Sequence, residues 1–356
     1  MDIGVCVASH INDIDYVVKA EALGYSHAWF ADSQMLWSDC YAALALAAVR
    51  TSTIRLGTGV SVTGTRPASV TAASIATINA LAPGRTFLGV GSGNTAMRIM
   101  GLAPQRIREY DRYLQSLRPL LRGEEALLAP GTRDIPIRHI MPDKGFVNFA
   151  DPIPLYVSGF GPRSLALAGQ HGDGAVITVT SNPGSMERVW GWIEDGARAA
   201  GRKLDRDAFY TAGLTAICVL EPGEAVDSDR VKAHCGPMAM AAVHYAYDQY
   251  RNFGQQPKAA IASIWEDYLA LIESYPEERR HQRVHAGHNC WVLPEEERFL
   301  TPEILRAVNI IGTRDQVIER LQGLEAAGMN QVMILPGFDA RFDSLECVAK
   351  ALIGVV

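Results

Sequence analysis

Short β-branched segments alternate with longer amphipathic segments along most of this chain, and this alternation restricts its fold more than any other feature. Such a pattern is typical of βαβ units, whose strands pair in parallel. It predicts eight strands, at residues 3–7, 28–31, 54–62, 86–90, 155–158, 175–179, 211–220 and 331–335. Helices are predicted at residues 14–23, 41–50, 70–81, 104–121, 164–170, 186–200, 315–327 and 344–353. This count favours a closed (β/α)8 TIM barrel of the α/β class over an open doubly wound sheet.

Two segments interrupt the alternation. Residues 123–152 are rich in proline, glycine and charge, and they predict a long loop or hairpin. Residues 221–310 contain no clear strand but show helical patterning at 238–253 and 260–272. We interpret 221–310 as an insertion before the last barrel strand, where segments of this length usually form lids or subunit contacts. The whole chain, 1–356, is expected to be one barrel domain.

Composition limits the classes of protein that remain. The formal net charge is −6, without any basic block, which argues against a nucleic-acid partner. No apolar run reaches the ~18–20 residues of a membrane span, and the first residues, MDIGVCVASH, lack the pattern of a signal peptide. The six cysteines are scattered without a C-x-x-C pair, so we expect a cytoplasmic protein with reduced thiols.

The residues directly after the predicted strands are the candidates for a site, because barrel active sites form where the strands end. Residues 158–164, SGFGPRS, join a strand to a helix N-terminus, whose free N–H groups and dipole suit a phosphate. Glycine lets the backbone approach a ligand closely, Arg163 adds positive charge and Ser164 adds a hydroxyl. The alternative is a turn that serves packing alone.

Two further strand ends are rich in glycine. Residues 57–61, GTGVS, lie within a predicted strand, where glycine often marks a bulge or a close ligand. Residues 89–94, GVGSGN, form either a tight turn or a stretch of backbone that lies against a flat ring. Three glycine-rich strand ends on one rim exceed what turns alone require, so we expect a ligand site there.

Three runs carry a resemblance to a known family. They are LGTGVSVTGTRPASVTAASIATINALAPGRTFLGVGSGN, LYVSGFGPRSLALAGQHGDGAVI and IIGTRDQVIERLQGLEAAGMNQVMILP. All three resemble the bacterial-luciferase-like superfamily of flavin- and deazaflavin-dependent oxidoreductases, and the layout is most similar to methylenetetrahydromethanopterin reductase and its relatives. The resemblance covers residues 1–220 and 308–356, and its motifs are specific to the superfamily rather than to one reaction.

The resemblance implies a flavin or deazaflavin ring in the rim of the barrel. The ring would lie against a bulge in the third strand, with a non-proline cis peptide between Gly59 and Val60, and the cofactor phosphate would lie on residues 159–161. The cofactor-binding residues expected on this basis are Gly59, Val60, Ser61, Gly91, Gly93, Asn94, Ser158, Gly159, Phe160, Gly161 and Arg163.

The chain departs from the family just after the second strand. Many members carry a histidine there at the site of catalysis, whereas this segment reads ADSQML. Asp32, Gln34, Asp39 and His10 are the remaining polar candidates near that rim. Three of them also have a purely structural alternative. Asp32 would cap a helix, Asp39 would be a helix N-cap, and His10 would only end the first strand.

The insertion holds a second group of candidates. His281, His285 and His288 follow the spacing i, i+4, i+7, which on a continuous helix is metal-ligand geometry. Gly287 interrupts that spacing, however, and the neighbouring charges indicate a solvated surface. We therefore predict no metal, and we place His285 and His288 as catalytic candidates in a lid over the barrel mouth. The alternative for this region is a dimer interface.

Three functions follow from the sequence. The first is an FMN-dependent monooxygenase that acts on a small organic substrate, with a separate flavin reductase as a further partner. The second is a deazaflavin (F420) oxidoreductase that exchanges hydride, and the third is a flavin-binding protein without turnover. In each the protein supplies binding and orientation, and the cofactor supplies the chemistry. A homodimer or higher homo-oligomer is expected.

Overall fold

A closed barrel of eight parallel strands forms the body of the protein. The computed structural model describes residues 1–179 and 184–356. Its barrel strands are β1 (Asp2–Val7), β2 (His27–Phe30), β3 (Arg55–Val62), β4 (Thr86–Gly91), β7 (Leu155–Ser158), β8 (Gly174–Thr178), β9 (Tyr210–Thr215) and β12 (Gln331–Ile334). They pair in the order β1-β12-β9-β8-β7-β4-β3-β2. The predicted α/β class and TIM-barrel architecture are confirmed.

Helices connect successive barrel strands. They are α1 (Asp15–Ala22), α2 (Cys40–Arg50), α3 (Ala68–Leu81), α4 (Asn94–Arg98), α5 (Ile107–Leu120), α6 (Pro162–His171), α7 (Gly184–Ala199), α13 (Arg314–Ala326) and α14 (Arg341–Leu352). The helix predicted at 104–121 begins at Ile107, and α4, which precedes it, was not predicted. Because α4 has only five residues, it is too short to show a helical pattern of apolar residues in the sequence.

The barrel interior is packed with aromatic side chains rather than open. Trp29, Phe87 and Tyr156 contact one another, with 4.3 Å between the ring centres of Trp29 and Phe87. The indole N–H of Trp29 donates to Gln331 at 2.8 Å, and the Gln331 amide donates to Nδ1 of His27 at 2.7 Å. Because the interior is filled, a ligand of cofactor size has room only at the mouth.

The segment 123–152 contains an antiparallel hairpin of β5 (Ala126–Ala129) and β6 (Arg133–Ile137), followed by a short 3₁₀ helix at Pro142–Lys144. The hairpin packs on α5, where the Ser116 hydroxyl donates to the carbonyl of Leu127 at 2.7 Å. This excursion therefore lies on the outside of the barrel.

The insertion, residues 221–310, is helical. It contains α8 (Asp229–Phe253), α9 (Ala259–Ala262), α10 (Trp265–Glu273), α11 (Arg280–Arg283) and α12 (Pro302–Val308), with 3₁₀ turns at Glu277–Arg279 and Glu297–Phe299. The Ser228 side chain caps α8 at its start, and Gly254 in the left-handed conformation follows its end. These helices bury an apolar cluster of their own around Trp265 and Tyr268.

The strand predicted at 211–220 is wrong as a single element. The barrel strand β9 ends at Thr215, and β10 (Ile217–Val219) pairs instead with β11 (Ile310–Gly312) outside the barrel. The apolar run is continuous, and its alternation does not register the change of sheet. The β10–β11 pair joins the two ends of the insertion. In the described part of the chain, no helix is both long and apolar enough to cross a bilayer.

Candidate active site

The third strand carries a bulge at the barrel mouth. The peptide bond between Gly59 and Val60 is cis, and the pairing of β3 with β4 shifts register between Thr58 and Ser61. The cis bond that the resemblance implied is therefore present. The Val60 side chain is half-buried and packs on the aromatic cluster of the barrel interior. This bulge forms the floor of the mouth.

Asp32 fastens the far side of that bulge. Its buried carboxylate accepts from the Val62 amide at 3.2 Å and from the Ser61 hydroxyl at 3.3 Å. Arg66 completes the site with two hydrogen bonds to Asp32, at 3.0 and 3.2 Å. The Ser61 hydroxyl also accepts from Tyr41 at 3.1 Å. Asp32 therefore holds the end of β3 rather than capping a helix, and a catalytic role for it stays a prediction. The side chain of Ser61 is occupied by protein partners.

Asp39 is the N-cap of α2, as the structural alternative predicted. Its carboxylate accepts from the amides of Tyr41 and Ala42, both at 3.0 Å. Arg66 also donates to Asp39 at 2.6 Å. Partial burial opposes ionisation of Asp39, but the Arg66 and amide hydrogen bonds outweigh it and lower its pKa. The same two carboxylates raise the pKa of Arg66, against its own burial.

The glycines at the end of β4 are needed for contacts within the protein. A Cβ on Gly91 would lie 2.7 Å from Cγ2 of Val60, and a Cβ on Gly93 would lie 2.3 Å from Cγ1 of Val62. Gly93 also has a positive φ of 77°, which favours glycine. These contacts explain why glycine is needed at both positions even if no ligand lies there. Contact of these glycines with a cofactor ring stays a prediction.

The N-terminus of α6 is open where a phosphate was predicted. A Cβ on Gly159 would lie 2.7 Å from the Ser164 hydroxyl, so the chain passes directly over the first turn, whereas a Cβ on Gly161 would meet nothing within 4 Å. Arg163 is exposed and has no hydrogen bond or ion pair with any described residue. Ser158, half-buried at the end of β7, accepts a long hydrogen bond from Tyr110 through its carbonyl, at 3.4 Å.

Two of the predicted catalytic side chains lie on the outer rim. Nδ1 of His10 accepts from the Asn12 amide at 3.2 Å, in the turn that ends β1, and its ring lies 5.8 Å from that of Phe338. The Gln34 amide donates to Sδ of Met100 at 3.2 Å and to the carbonyl of Ala96 at 3.4 Å. Both are exposed and tied to neighbouring loops.

The insertion lies against the β4 end of the mouth. Asp248 of α8 accepts from Asn94 at 3.3 Å and pairs with Arg98 at 3.4 Å, and Arg98 also donates to Asn94 at 3.0 Å. Arg98 and Asp248 are both less than 10% exposed. The nearby Tyr245 ring contacts the exposed Phe160 at 6.3 Å. Asn94 and Phe160, predicted to bind cofactor, are therefore also where α8 meets the barrel.

His285 and His288 are not on a solvated surface, and this part of the prediction is wrong. The helix α11 ends at Arg283, so His281, His285 and His288 do not share one helical face. His285 is 1% exposed, and its Nε2 lies 3.4 Å from Oδ2 of Asp248. The rings of His285 and His288 are 5.8 Å apart. The prediction was wrong because the charged residues that precede these histidines, such as Glu277 and Glu278, are exposed, whereas His285 is buried.

The same loop continues to the loop that follows β2. His288 lies 6.1 Å from Trp37, and the Trp37 indole donates to Sγ of Cys290 at 3.3 Å. Burial raises the pKa of Cys290 to about 11. Burial, with the neighbouring His285 and His244, holds the pKa of His288 well below its ordinary range. Within residues 1–179 and 184–356 no group of three His, Cys, Asp or Glu side chains is placed to hold a metal ion.

A family model described as luciferase-like monooxygenase matches residues 10–331. The chain belongs to this family. It is 29% identical to 5,10-methylenetetrahydromethanopterin reductase of Archaeoglobus fulgidus, over 96% of this chain and 95% of that protein. It is 26% identical to F420-dependent glucose-6-phosphate dehydrogenase of Nakamurella multipartita, over 88% of this chain and 93% of that protein.

Solved structures share the fold over the full length. The coenzyme F420-dependent tetrahydromethanopterin reductase from Methanopyrus kandleri aligns with a TM-score of 0.69 at 22% identity, covering 99% of this chain and 98% of that one. The oxygenating constituent of 3,6-diketocamphane monooxygenase from Pseudomonas putida, in complex with FMN, aligns with a TM-score of 0.61 at 17% identity, covering 100% and 99%. The family and its named relatives make the chain an oxidoreductase.

Several residues that shape the mouth were missed by sequence reasoning. They are Arg66, Arg98, His244, Asp248 and Glu296, all of them charged or polar side chains in buried or half-buried positions. Asp248 had a signal, since it follows Val243 and Tyr247 on the apolar face of a predicted helix. A carboxylate on an otherwise apolar face requires a partner, and that partner, Arg98, is remote in sequence.

Proposed function

We propose that this protein is a deazaflavin-dependent oxidoreductase that exchanges hydride between coenzyme F420 and a small organic substrate. The observation that carries the proposal is full-length similarity to the Nakamurella dehydrogenase, which is F420-dependent by name, at 93% coverage of that protein. When bound, a deazaflavin supplies two-electron hydride chemistry without oxygen. The Archaeoglobus relative, also matched over almost its entire length, is by name a reductase.

The mouth has the features that such a cofactor needs. The bulge at Gly59–Val60 gives a firm floor for a flat ring system, since Asp32 and Arg66 hold the strand just beyond it. The first turn of α6 offers unpaired N–H groups beside an exposed Arg163, with open space above Gly161. These residues fit a ring joined to a phosphate. Their part would be to orient the ring, bind the phosphate and exclude water.

FMN-dependent monooxygenation, which the sequence placed first, has less support. The FMN-bound neighbour shares the fold at 17% identity, which carries no information on cofactor choice. The flavin reductase expected as a partner belongs to that function and stays a prediction. Binding without turnover is not supported either, because the family and its relatives are enzymes.

Cofactor titration tests the proposal. Purified protein is titrated separately with F420 and with FMN, and binding is followed by quenching of cofactor fluorescence. We expect F420 to bind at least about tenfold more tightly, a difference of about 1.4 kcal/mol. Tighter binding of FMN, together with oxygen consumption when FMN is supplied in reduced form, would instead establish the monooxygenase.

A further inference from the structure

A largely buried group of polar side chains lies between the insertion and the barrel mouth, and Asn94, an expected cofactor residue, contacts it through Asp248 and Arg98. It contains His244, His285, His288, Asp248, Glu296 and Arg98, contributed by α8, α4 and the loops on either side of residue 290. His285 is the member at its centre: its ring lies 6.4 Å from that of His244 and 5.8 Å from that of His288.

Both ring nitrogens of His285 are buried without a hydrogen-bond partner. Nε2 lies 3.4 Å from Oδ2 of Asp248, but not in hydrogen-bond geometry. Nδ1 likewise has no hydrogen-bond partner among residues 1–179 and 184–356. A buried imidazole with neither nitrogen satisfied costs free energy, and such groups occur mainly where a ligand or a function accounts for them.

The other histidines are tied to protein partners. Nε2 of His244 lies 2.9 Å from Oε1 of Glu296, and Nε2 of His288 accepts from the Asn289 amide at 2.9 Å. His244 and His288 thus have one bonded nitrogen each, whereas neither ring nitrogen of His285 has a hydrogen-bond partner in the described part of the chain. In His285 a carboxylate lies 3.4 Å from one nitrogen and the second nitrogen is unpaired, so the ring can accept a proton from a ligand that reaches it.

The position of His285 places it at the mouth. Asp248, which orients it, contacts Asn94 and Arg98 directly after β4. On the other side His288 contacts Trp37 in the loop after β2. The strand β3, with the Gly59–Val60 bulge, lies between β2 and β4 in the barrel. His285 is thus part of the cover over the position of the proposed ring.

We infer that His285 exchanges a proton with a hydroxyl or carbonyl oxygen of the substrate, with Asp248 as its positioning residue. This rests on the proposed function. In the oxidising direction the C–H bond of an alcohol breaks and its hydrogen leaves with both electrons as hydride to the deazaflavin. The O–H proton passes to Nδ1 of His285, and the C=O bond forms. The substrate is therefore an alcohol, or the corresponding aldehyde or ketone.

Several charged and polar groups surround His285. Arg98 faces it from α4, Asp248 and His244 from α8, Tyr268 from α10 by its stacking on His244, and Glu296 and His288 from the adjoining loops. The Arg98 charge opposes the Asp248 charge. A variant at Asp248 therefore changes both the orientation of His285 and the local charge, and its effect must be separated from that of His285 itself.

The first measurement needs no cofactor. In the unliganded protein, ¹⁵N correlation spectra of the histidine rings report which nitrogen carries the proton. We expect His285 to carry it on Nε2, toward Asp248, and Asp248→Asn to remove that preference. The spectrum of His285→Gln identifies the signal, and His281→Gln on the same loop is the control. A proton fixed on Nδ1 in the parent protein would overturn the inference.

The second measurement is activity with F420 and a panel of alcohols: 2-propanol, cyclohexanol and glucose 6-phosphate. His285→Gln should lower kcat by about 100-fold or more, the usual contribution of a general base, and should abolish the fall of kcat/KM at acid pH. Asp248→Asn should lower kcat less and shift the acid limb, while His281→Gln keeps the parent profile.

The outcomes distinguish this inference from the proposed function. If F420 binds but no alcohol or carbonyl compound of the panel reacts, the assignment of substrate class and of His285 is wrong while the cofactor assignment stands. If His285→Gln keeps its acid limb and its kcat, His285 is not the base. If F420 does not bind at all, the proposed function fails first, and the ring spectra alone then test the Asp248–His285 pair.

Discussion

A substitution at Gly161 is the most direct test of the predicted phosphate site. A side chain at this position meets no protein atom within 4 Å, so Gly161→Asp leaves the fold intact and places a carboxylate at the start of α6. Like charges in contact cost several kcal/mol, so cofactor affinity should fall about 100-fold. Fluorescence titration with F420 measures it.

The matched control is Gly161→Ala, which adds volume without charge. It should bind the cofactor within about threefold of the parent, because the space is open and a φ of −140° suits any residue. Equal affinity of the Asp variant and the Ala variant would place the phosphate elsewhere.

His27 sets part of the response of stability to pH. Burial in the barrel interior lowers its pKa from 6.5 to about 4, although Asp2 opposes the shift. Since the folded state binds its proton less readily, the stabilisation is complete above pH 6.5 and is lost as the pH falls toward 4. The shift corresponds to about 3 kcal/mol.

Urea unfolding of the parent and of His27→Gln between pH 7.5 and 4 measures this contribution. The free energy of unfolding of the parent should fall more steeply with acid than that of the variant, whatever the difference between them at pH 7.5. Parallel curves would mean that His27 is protonated equally in the folded and unfolded chains.

The end of β3 is the element on which the mouth depends. Pairing of β3 with β4 resumes at Ser61, but pairing with β2 ends at Thr58. On that side Asp32 accepts from the Val62 amide and the Ser61 hydroxyl. Arg66 neutralises that carboxylate from the next loop. The family bulge is therefore held in this chain by a buried ion pair.

Asp32→Asn should lower the free energy of unfolding by about 3 kcal/mol, because it leaves the Arg66 charge without its buried partner. Asp39→Asn is the matched control, because it makes the same change at the second partner of Arg66. The Asp39 side chain is half-exposed, and asparagine can still cap α2, so this variant should lose less than about 1 kcal/mol of stability. Urea unfolding at pH 7.5 compares them. Equal losses would show that the bulge does not depend on Asp32.

For the whole molecule, a buried ion pair at the mouth is one of the contacts that join the insertion to the barrel. Arg98 and Asp248 side chains are each 9% exposed and join α4 to α8. Arg98→Ala should leave the buried Asp248 carboxylate without its arginine, at a cost of about 3 kcal/mol. Hydrogen exchange should then increase in α8 and in the loop around residue 285, while the barrel strands stay protected.

Arg251→Ala removes an arginine of α8 that pairs within the insertion, and it serves as the control. Its pair with Glu277 is largely exposed, so its loss should cost less than about 1 kcal/mol. If Arg98→Ala loosens no more of the insertion than Arg251→Ala does, the apolar contacts of the insertion, such as Met238 on the interior cluster, hold it in place instead.

The sequence by itself determined the barrel. The local pattern of apolar residues predicts which segments are buried. It therefore predicts the number of barrel strands and, to within a few residues, the helix N-terminus at Gly161. The cis bond at Gly59–Val60 was also found from the sequence, but through resemblance rather than from any physical property of those residues. The division of residues 211–220 between two sheets escaped because apolar alternation does not encode which neighbour a strand pairs with.

Only the tertiary structure decided what lies over the mouth. Asp32 and Arg66 are 34 residues apart, and Asp248 meets Asn94 across 154 residues, so no local pattern contains either pair. His285 shows the reason most clearly: its sequence neighbours are charged and exposed, yet its own side chain is 1% exposed. Burial and charge pairing of a loop residue depend on which distant surface the loop covers, and that is a property of the packed chain rather than of the segment.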